Sequence, residues 1–364
     1  MSNKETFENF SNRRKVKAPK IPYVVTNESI NDLVGDYLFD NWGVSYLDLS
    51  EYDFSNVSLE TMTKIVFSSS TIWPNKDKLP KGFDPSKILM ECTTTNEQVI
   101  KLHKQGITGE GVTLAVIDSG FQAENHVEFK DAFLERCTLN NNIDYHFHME
   151  DVLSKLCGKN LGIAPQSKVL YYEIDFDEDD SKYVHDALMD ILKRVENGEK
   201  IRAVSCSFSM TNYDTPFEYE KENFEIIKQL KQKGCEVISS DMFGYKFFCC
   251  GTTFLDQNKY KVCTFATDML EDERIKDNVN IVCSGKTIPE YCSTDGYKYE
   301  VVDCFSWSIP QCVGYYALCL QVNPKLTFEE FVRLVSNSCD VTENGLKVLN
   351  IEKIMKNMRI NNKR

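Results

Sequence analysis

From about residue 96 the chain alternates between two hydrophobic rhythms. Val112-Thr113-Leu114-Ala115-Val116-Ile117, Val169–Tyr172, Ala203–Phe208, Cys235–Ile238 and Val279–Cys283 are short apolar runs with the length and branching of buried strands. Between them, residues 96–105, 149–157, 181–196 and 217–233 repeat apolar positions at helical spacing, with Gly106, Gly158 and Gly234 as punctuation. Strands alternating with helices predict an α/β domain with a mostly parallel sheet. From Trp307 to Val322 apolar residues fall on every side of a helical wheel, which predicts a helix buried in the middle of that domain. Pro310 is tolerated only near its start, where backbone N–H groups lack intrahelical partners. An amphipathic helix follows at residues 327–337, opened by Thr327 and Glu330 in capping-box spacing.

The first part of the chain has a weaker pattern. Residues 1–19 carry many charges and little to bury, as expected of a disordered basic head. Residues 20–84 form an accessory region, with a short strand at Tyr46–Leu49 and a short helix from Ser58 to Ile65. Ser69, Ser70, Pro74, Pro80, Gly82 and Pro85 punctuate a loop-rich connection, which places the start of the main domain, residues 85–364, at its end. Residues 244–300 read as irregular apart from Val279–Cys283. The acidic run Asp175 to Asp180 lacks the glycine and spacing of a calcium loop and reads as a solvated loop.

Composition narrows the function classes. At 364 residues the chain can bury a sizeable core, and its net charge of −13 argues against nucleic-acid and anionic-membrane partners. No apolar run approaches a membrane span, and the polar, basic N-terminus lacks the apolar segment of a secretory signal. Fourteen scattered cysteines without a C-x-x-C pair point to reduced thiols in a cytoplasmic protein with no metal site and no cofactor.

Candidate chemistry sits at three places. Asp118 ends an apolar strand at the edge where open α/β sheets bind ligands. A buried carboxylate there needs a partner, and a histidine would be oriented by it. His103, His126 and His185 lie in or near polar segments and are read as surface residues. His148 precedes a helix and is the better candidate, with His146 two residues earlier as its competitor. Ser306 stands at the start of the buried helix, where free N–H groups and the helix dipole favour an oxyanion.

Gly109-Glu110-Gly111-Val112-Thr113-Leu114-Ala115-Val116-Ile117-Asp118-Ser119-Gly120 resembles the aspartate motif of the subtilisin-like serine peptidases. His148-Met149-Glu150-Asp151-Val152-Leu153-Ser154, with Leu161-Gly162-Ile163-Ala164-Pro165 after it, is similar to the family's histidine helix and following turn. Phe305-Ser306-Trp307-Ser308-Ile309-Pro310, with Gly314 four residues beyond the proline, resembles its serine motif. The order Asp, His, Ser is that of the subtilisin type, and the likeness spans roughly residues 85–340. It implies a three-layer α/β/α domain with a central mostly parallel sheet, plus the small N-terminal region, and peptide-bond hydrolysis as the activity. By position, Asp118 would orient, His148 would act as base and then acid, and Ser306 would attack the carbonyl; the alignment selects His148 over His146.

The resemblance also implies where a peptide or protein substrate would sit. Val204-Ser205-Cys206-Ser207-Phe208-Ser209 is similar to the strand that pairs with substrate backbone, so Ser207, Phe208 and Ser209 are expected to contact it, with Ser209 standing where the family has glycine. The family's oxyanion asparagine follows the strand corresponding to Cys235–Ser239. Here that turn reads Ser239-Ser240-Asp241-Met242-Phe243, leaving Ser240 or a protonated Asp241 as substitutes. The expected activity is selective processing, and the competing reading is a pseudo-peptidase that holds a partner peptide in the cleft.

Overall fold

A computed structural model of the chain describes residues 21–30, 43–138, 143, 147–175, 180–211, 218–241, 247–253, 256–262, 279–283, 285–290, 293–301, 305–343 and 345–361. The expected basic head, His146, most of the acidic run, Met242, Phe243 and Cys304 lie outside these residues. The chain divides into two compact units: residues up to Thr93 with Lys286–Val302, and Thr94–Gly285 with Asp303–Arg364.

The larger unit is built on five parallel strands: β1 (Thr113–Asp118), β2 (Leu134–Arg136), β3 (Lys168–Glu173), β4 (Ile201–Cys206) and β5 (Glu236–Ser239), in the order β2-β3-β1-β4-β5. Its helices are α1 (Glu97–Lys104), α2 (His148–Cys157), α3 (Asp180–Glu196), α4 (Glu220–Gln232), α5 (Phe305–Val322), α6 (Phe328–Ser336) and α7 (Ile351–Asn361). Side chains alternate across β1, so the strand feeds two cores. Leu114 and Val116 pack with α1, α2 and α5, while Ala115 and Ile117 pack with α3 and α4. That is the expected three-layer arrangement, and it explains why β1 reads as an unbroken apolar run.

Local chemistry sets the helix ends. Asn96 caps α1 through Val99 N, and Thr327 and Glu330 form the reciprocal capping box of α6. α5 is buried along nearly its whole length. It begins two residues before Trp307, so Pro310 lies at its sixth position rather than in its first turn. A proline there removes the bond to the carbonyl four residues earlier, which is that of Ser306.

Two expectations about local structure are corrected. Residues 244–300 contain β6 (Phe247–Thr253), β7 (Asp256–Val262) and β8 (Val279–Cys283), which join β9 (Asp340–Val341) and β10 (Lys347–Val348) in a second sheet ordered β9-β10-β8-β6-β7. Tyr46–Leu49 is not a strand: Tyr46 ends a turn with a left-handed φ of 67°, and only an isolated bridge from Asp48 to Ile72 follows. Lys286–Val302 belongs to the smaller compact unit, with the residues up to Thr93. There Thr287–Pro289 and Phe67–Ser68 pair antiparallel on either side of Tyr297–Tyr299, and Phe67 stacks on Tyr299 beside Trp73 and Phe83.

Candidate active site

Asp118 is the last residue of β1 and is completely buried. Its Oδ1 accepts from the Ser119 N–H at 2.8 Å and meets His148 Nδ1 at 2.7 Å. A carboxylate with no access to water is stable only with such partners. His148 opens α2, and its side chain keeps 18% exposure. Phe147, at the N-cap, offers no side-chain cap; Ser119 supplies one instead, its Oγ accepting from Met149 N at 3.0 Å. The strand end therefore fixes the imidazole and the start of the helix that carries it. Burial pushes the His148 pKa down. The charge of Asp118 and its hydrogen bond outweigh this, and Asp151 adds to them, so the value stands above the ordinary imidazole range.

The far end of α2 is held by a second buried carboxylate. Glu128 accepts from Asn160 N and Asn160 Nδ2 at 2.9 Å and from Leu161 N at 3.1 Å, so the turn carrying Leu161–Pro165 closes around it. Glu128→Ala should destabilise the protein by about 2 kcal/mol, since buried donors to a charged acceptor would lose it; urea unfolding at constant m-value measures this.

Ser306 is the second residue of α5. The carbonyl that Pro310 frees accepts from Ser207 Oγ at 3.0 Å, and Ser306 Oγ donates in return to the Ser207 carbonyl at 3.3 Å. This reciprocal pair ties the start of α5 to the end of β4. Trp307, next along the helix, brings its indole to 5.6 Å from the His148 ring, centroid to centroid. Asp118, His148 and Ser306 thus lie at adjoining ends of β1, α2 and α5, with the serine hydroxyl turned toward Ser207.

The expected substrate residues divide. β4 is paired on both sides through Cys206, so an added strand could meet it only at Ser207–Ser209. Ser207 faces α5, whereas Phe208 packs into the opposite core with α3 and α4. Ser209 Oγ bonds to Asp241 and to the Thr211 carbonyl. Asp241, the other oxyanion candidate, lies against the 209–211 loop. Its carboxylate oxygens accept from Ser209 Oγ, Met210 N, Thr211 Oγ1 and Ser239 Oγ, which makes it an anchor for the 209–211 loop. Ser240 stays half-buried, with its N–H given to the Phe208 carbonyl at 3.2 Å.

Of the histidines read as surface residues, His126 is buried and accepts from Glu128 N through Nδ1. His103 bonds to the Ile163 carbonyl, and His185 stacks on Tyr219 and bonds to Asn223. Polar neighbours in sequence concealed the contacts of His103 and His185, which come from residues distant along the chain. The position of Trp307 against His148 was also missed; an aromatic directly after the serine was the available signal. Among the described residues no group of three or more His, Cys, Asp or Glu side chains could hold a metal ion, and no helix is long and apolar enough to cross a membrane.

No protein-family model and no curated protein sequence matches the chain. Solved structures do. The prenylagaramide maturation protease PagA is 17% identical over 72% of this chain and 98% of its own, with a TM-score of 0.53. The PatG macrocyclase in complex with peptide is 15% identical over 71% of this chain and 95% of its own, at 0.52. Fervidolysin from Fervidobacterium pennivorans, a keratinolytic enzyme related to subtilisin, is 13% identical over 73% and 45%, at 0.52. With the parallel sheet between helices and the strand order above, these likenesses establish that the chain has a subtilisin-like fold.

Proposed function

We propose that the chain is a serine endopeptidase that processes a limited set of peptides or proteins in the cytoplasm. The observation that carries this reading is the 2.7 Å contact between the buried Asp118 carboxylate and His148 Nδ1, next to a helix start bearing Ser306. Asp118 accepts Nδ1–H and so leaves Nε2 unprotonated, as a general base requires. The Ser306 hydroxyl turns from the Ser207 carbonyl to Nε2, gives up its proton and attacks the substrate carbonyl. His148 returns the proton to the leaving amine, and water repeats the cycle on the acyl-enzyme. The Ser306 N–H, in the first turn of α5, supplies one oxyanion donor. Ser207–Ser209 offers backbone to an extended peptide, consistent with a peptide in the PatG macrocyclase structure. Selective processing fits a site without an assigned second oxyanion donor and agrees with the description of PagA as a maturation protease. The buried free thiols of Cys157, Cys206, Cys312 and Cys319 suit a reducing compartment.

A second reading, a peptide-binding pseudo-peptidase, is favoured by one observation: the Ser306 hydroxyl is engaged with the Ser207 carbonyl. A fluorophosphonate probe separates the two, because only an activated serine is phosphonylated. The protein should label at one residue, with Ser306→Ala silent. A protein that stays unlabelled while binding extended peptides is a pseudo-peptidase, and label persisting in Ser306→Ala removes Ser306 as nucleophile.

A further inference from the structure

α5 brings Trp307, the residue after Ser306, to His148. Trp307 is 8% exposed, held among the core residues that join α5 to α2. Its ring centroid lies 5.6 Å from that of His148, with 30° between the planes. The imidazole is therefore bounded by a carboxylate at Nδ1 and by an indole from the helix carrying the serine. A cation within about 6 Å of an indole centroid is attracted to the ring's negative face, and in acyl transfer the base becomes a cation in the transition state.

We infer that Trp307 is a positioning residue for His148: its indole keeps the imidazole against Asp118 and stabilises the ring when it holds a second proton. The inference rests on the reading of His148 as general base, but the contact itself can be tested without catalysis. Around His148, β1 contributes Asp118, its own helix contributes Glu150, Asp151 and Lys155, and α5 carries no charged residue. Lys155 directs its ammonium to the Gly285 carbonyl, and Asp151 acts on the imidazole in the same direction as Asp118. The Trp307 indole thus adds an aromatic face from α5 to surroundings in which Asp118 and Asp151 supply the negative charge.

Two measurements on the full chain decide the matter. An imidazolium beside an indole quenches its fluorescence, and the other tryptophans, Trp42 and Trp73, serve as background. Acidification should quench part of the emission with a midpoint above the ordinary imidazole value, and the step should vanish in both Trp307→Phe and His148→Gln. No step in the wild type, or a step that survives either substitution, overturns the contact. In parallel, the rate of fluorophosphonate labelling is followed against pH. Loss of the indole in Trp307→Leu should move the acid limb down by roughly 0.4 to 1 pH unit, the range of a partly desolvated cation–π contact. Trp307→Phe, which keeps an aromatic face, should recover part of that displacement. A variant that lowers the plateau while leaving the limb in place, with near-ultraviolet circular dichroism unchanged, would mean that Trp307 only fills space. If the wild-type protein does not label, the peptidase reading fails, and the fluorescence step alone decides whether the ring pair exists.

Discussion

Replacing Asp118 by asparagine should lower the rate of fluorophosphonate labelling about 10⁴-fold while leaving the fold intact, as expected when a triad acid loses its charge but keeps its shape. Asparagine is nearly isosteric, so packing at the end of β1 is preserved. Its amide can present N–H to His148 Nδ1, however, and that favours the tautomer with the proton on Nε2, which cannot act as base. The pH dependence should change in a defined direction. In the wild type, burial lowers the His148 pKa, and the Asp118 charge and hydrogen bond reverse this. Without the charge, the burial effect is opposed chiefly by the weaker pull of Asp151, so the pKa falls. The imidazole then stays neutral to lower pH, and the acid limb moves down even as the plateau collapses. The loss is one of orientation and transition-state charge, since more of the base is deprotonated than before. Labelling within tenfold of the wild-type rate, or an acid limb that moves upward, would sink the assignment of Asp118 and His148 as a working pair.

Much of this site was legible because local sequence fixes the elements that carry it. An apolar run ending in Asp-Ser-Gly can only be a buried strand delivering an acid to the sheet edge, and β1 ends at Asp118. A helix apolar all round has to be central, and α5 is buried along nearly its whole length. What escaped depends on partners far along the chain. Phe247–Thr253 contains Cys-Cys-Gly-Thr-Thr, residues too small to show a strand pattern, and it is a strand because β8 and β7 flank it. Tyr297–Tyr299 lies beside Phe67–Ser68 across more than two hundred residues, and no local pattern encodes that pairing. Asp241 is an oxyanion candidate from its place after β5, and its ties to the 209–211 loop, distant in sequence, have no local signal. Side-chain type and spacing thus identify which groups are available, and long-range packing decides which are already committed.

That packing supplies the second large effect, at Gly314. Two turns into α5 from Ser306, Gly314 meets Ile163 in the turn after α2, and a Cβ added there would come within 2.7 Å of Ile163 Cβ and 3.0 Å of its Cγ2. Both residues are in the fully enclosed part of the core, so neither can turn away into solvent. The missing side chain lets the helix bearing Ser306 lie close to the segment that follows the helix bearing His148. Gly314→Ala gains up to about 1 kcal/mol of helix propensity against the clash. Gly314→Val adds two further methyl groups and a β-branch, and it should cost about 3 kcal/mol through overpacking. The functional cost should be larger than the stability cost implies. Forcing α5 from α2 by a fraction of an ångström separates the hydroxyl from the imidazole, and misplacement on the order of 1 Å costs roughly 10²-fold in rate. Gly314→Val should therefore remain folded at low urea and still label about a hundred times more slowly than wild type, with the acid limb moving down by less than in Trp307→Leu, because Asp118 stays with His148 while the Trp307 indole shifts with α5. A variant that loses stability but labels at the normal rate would show that the two helices are not coupled through this contact, and that the spacing between nucleophile and base is set elsewhere.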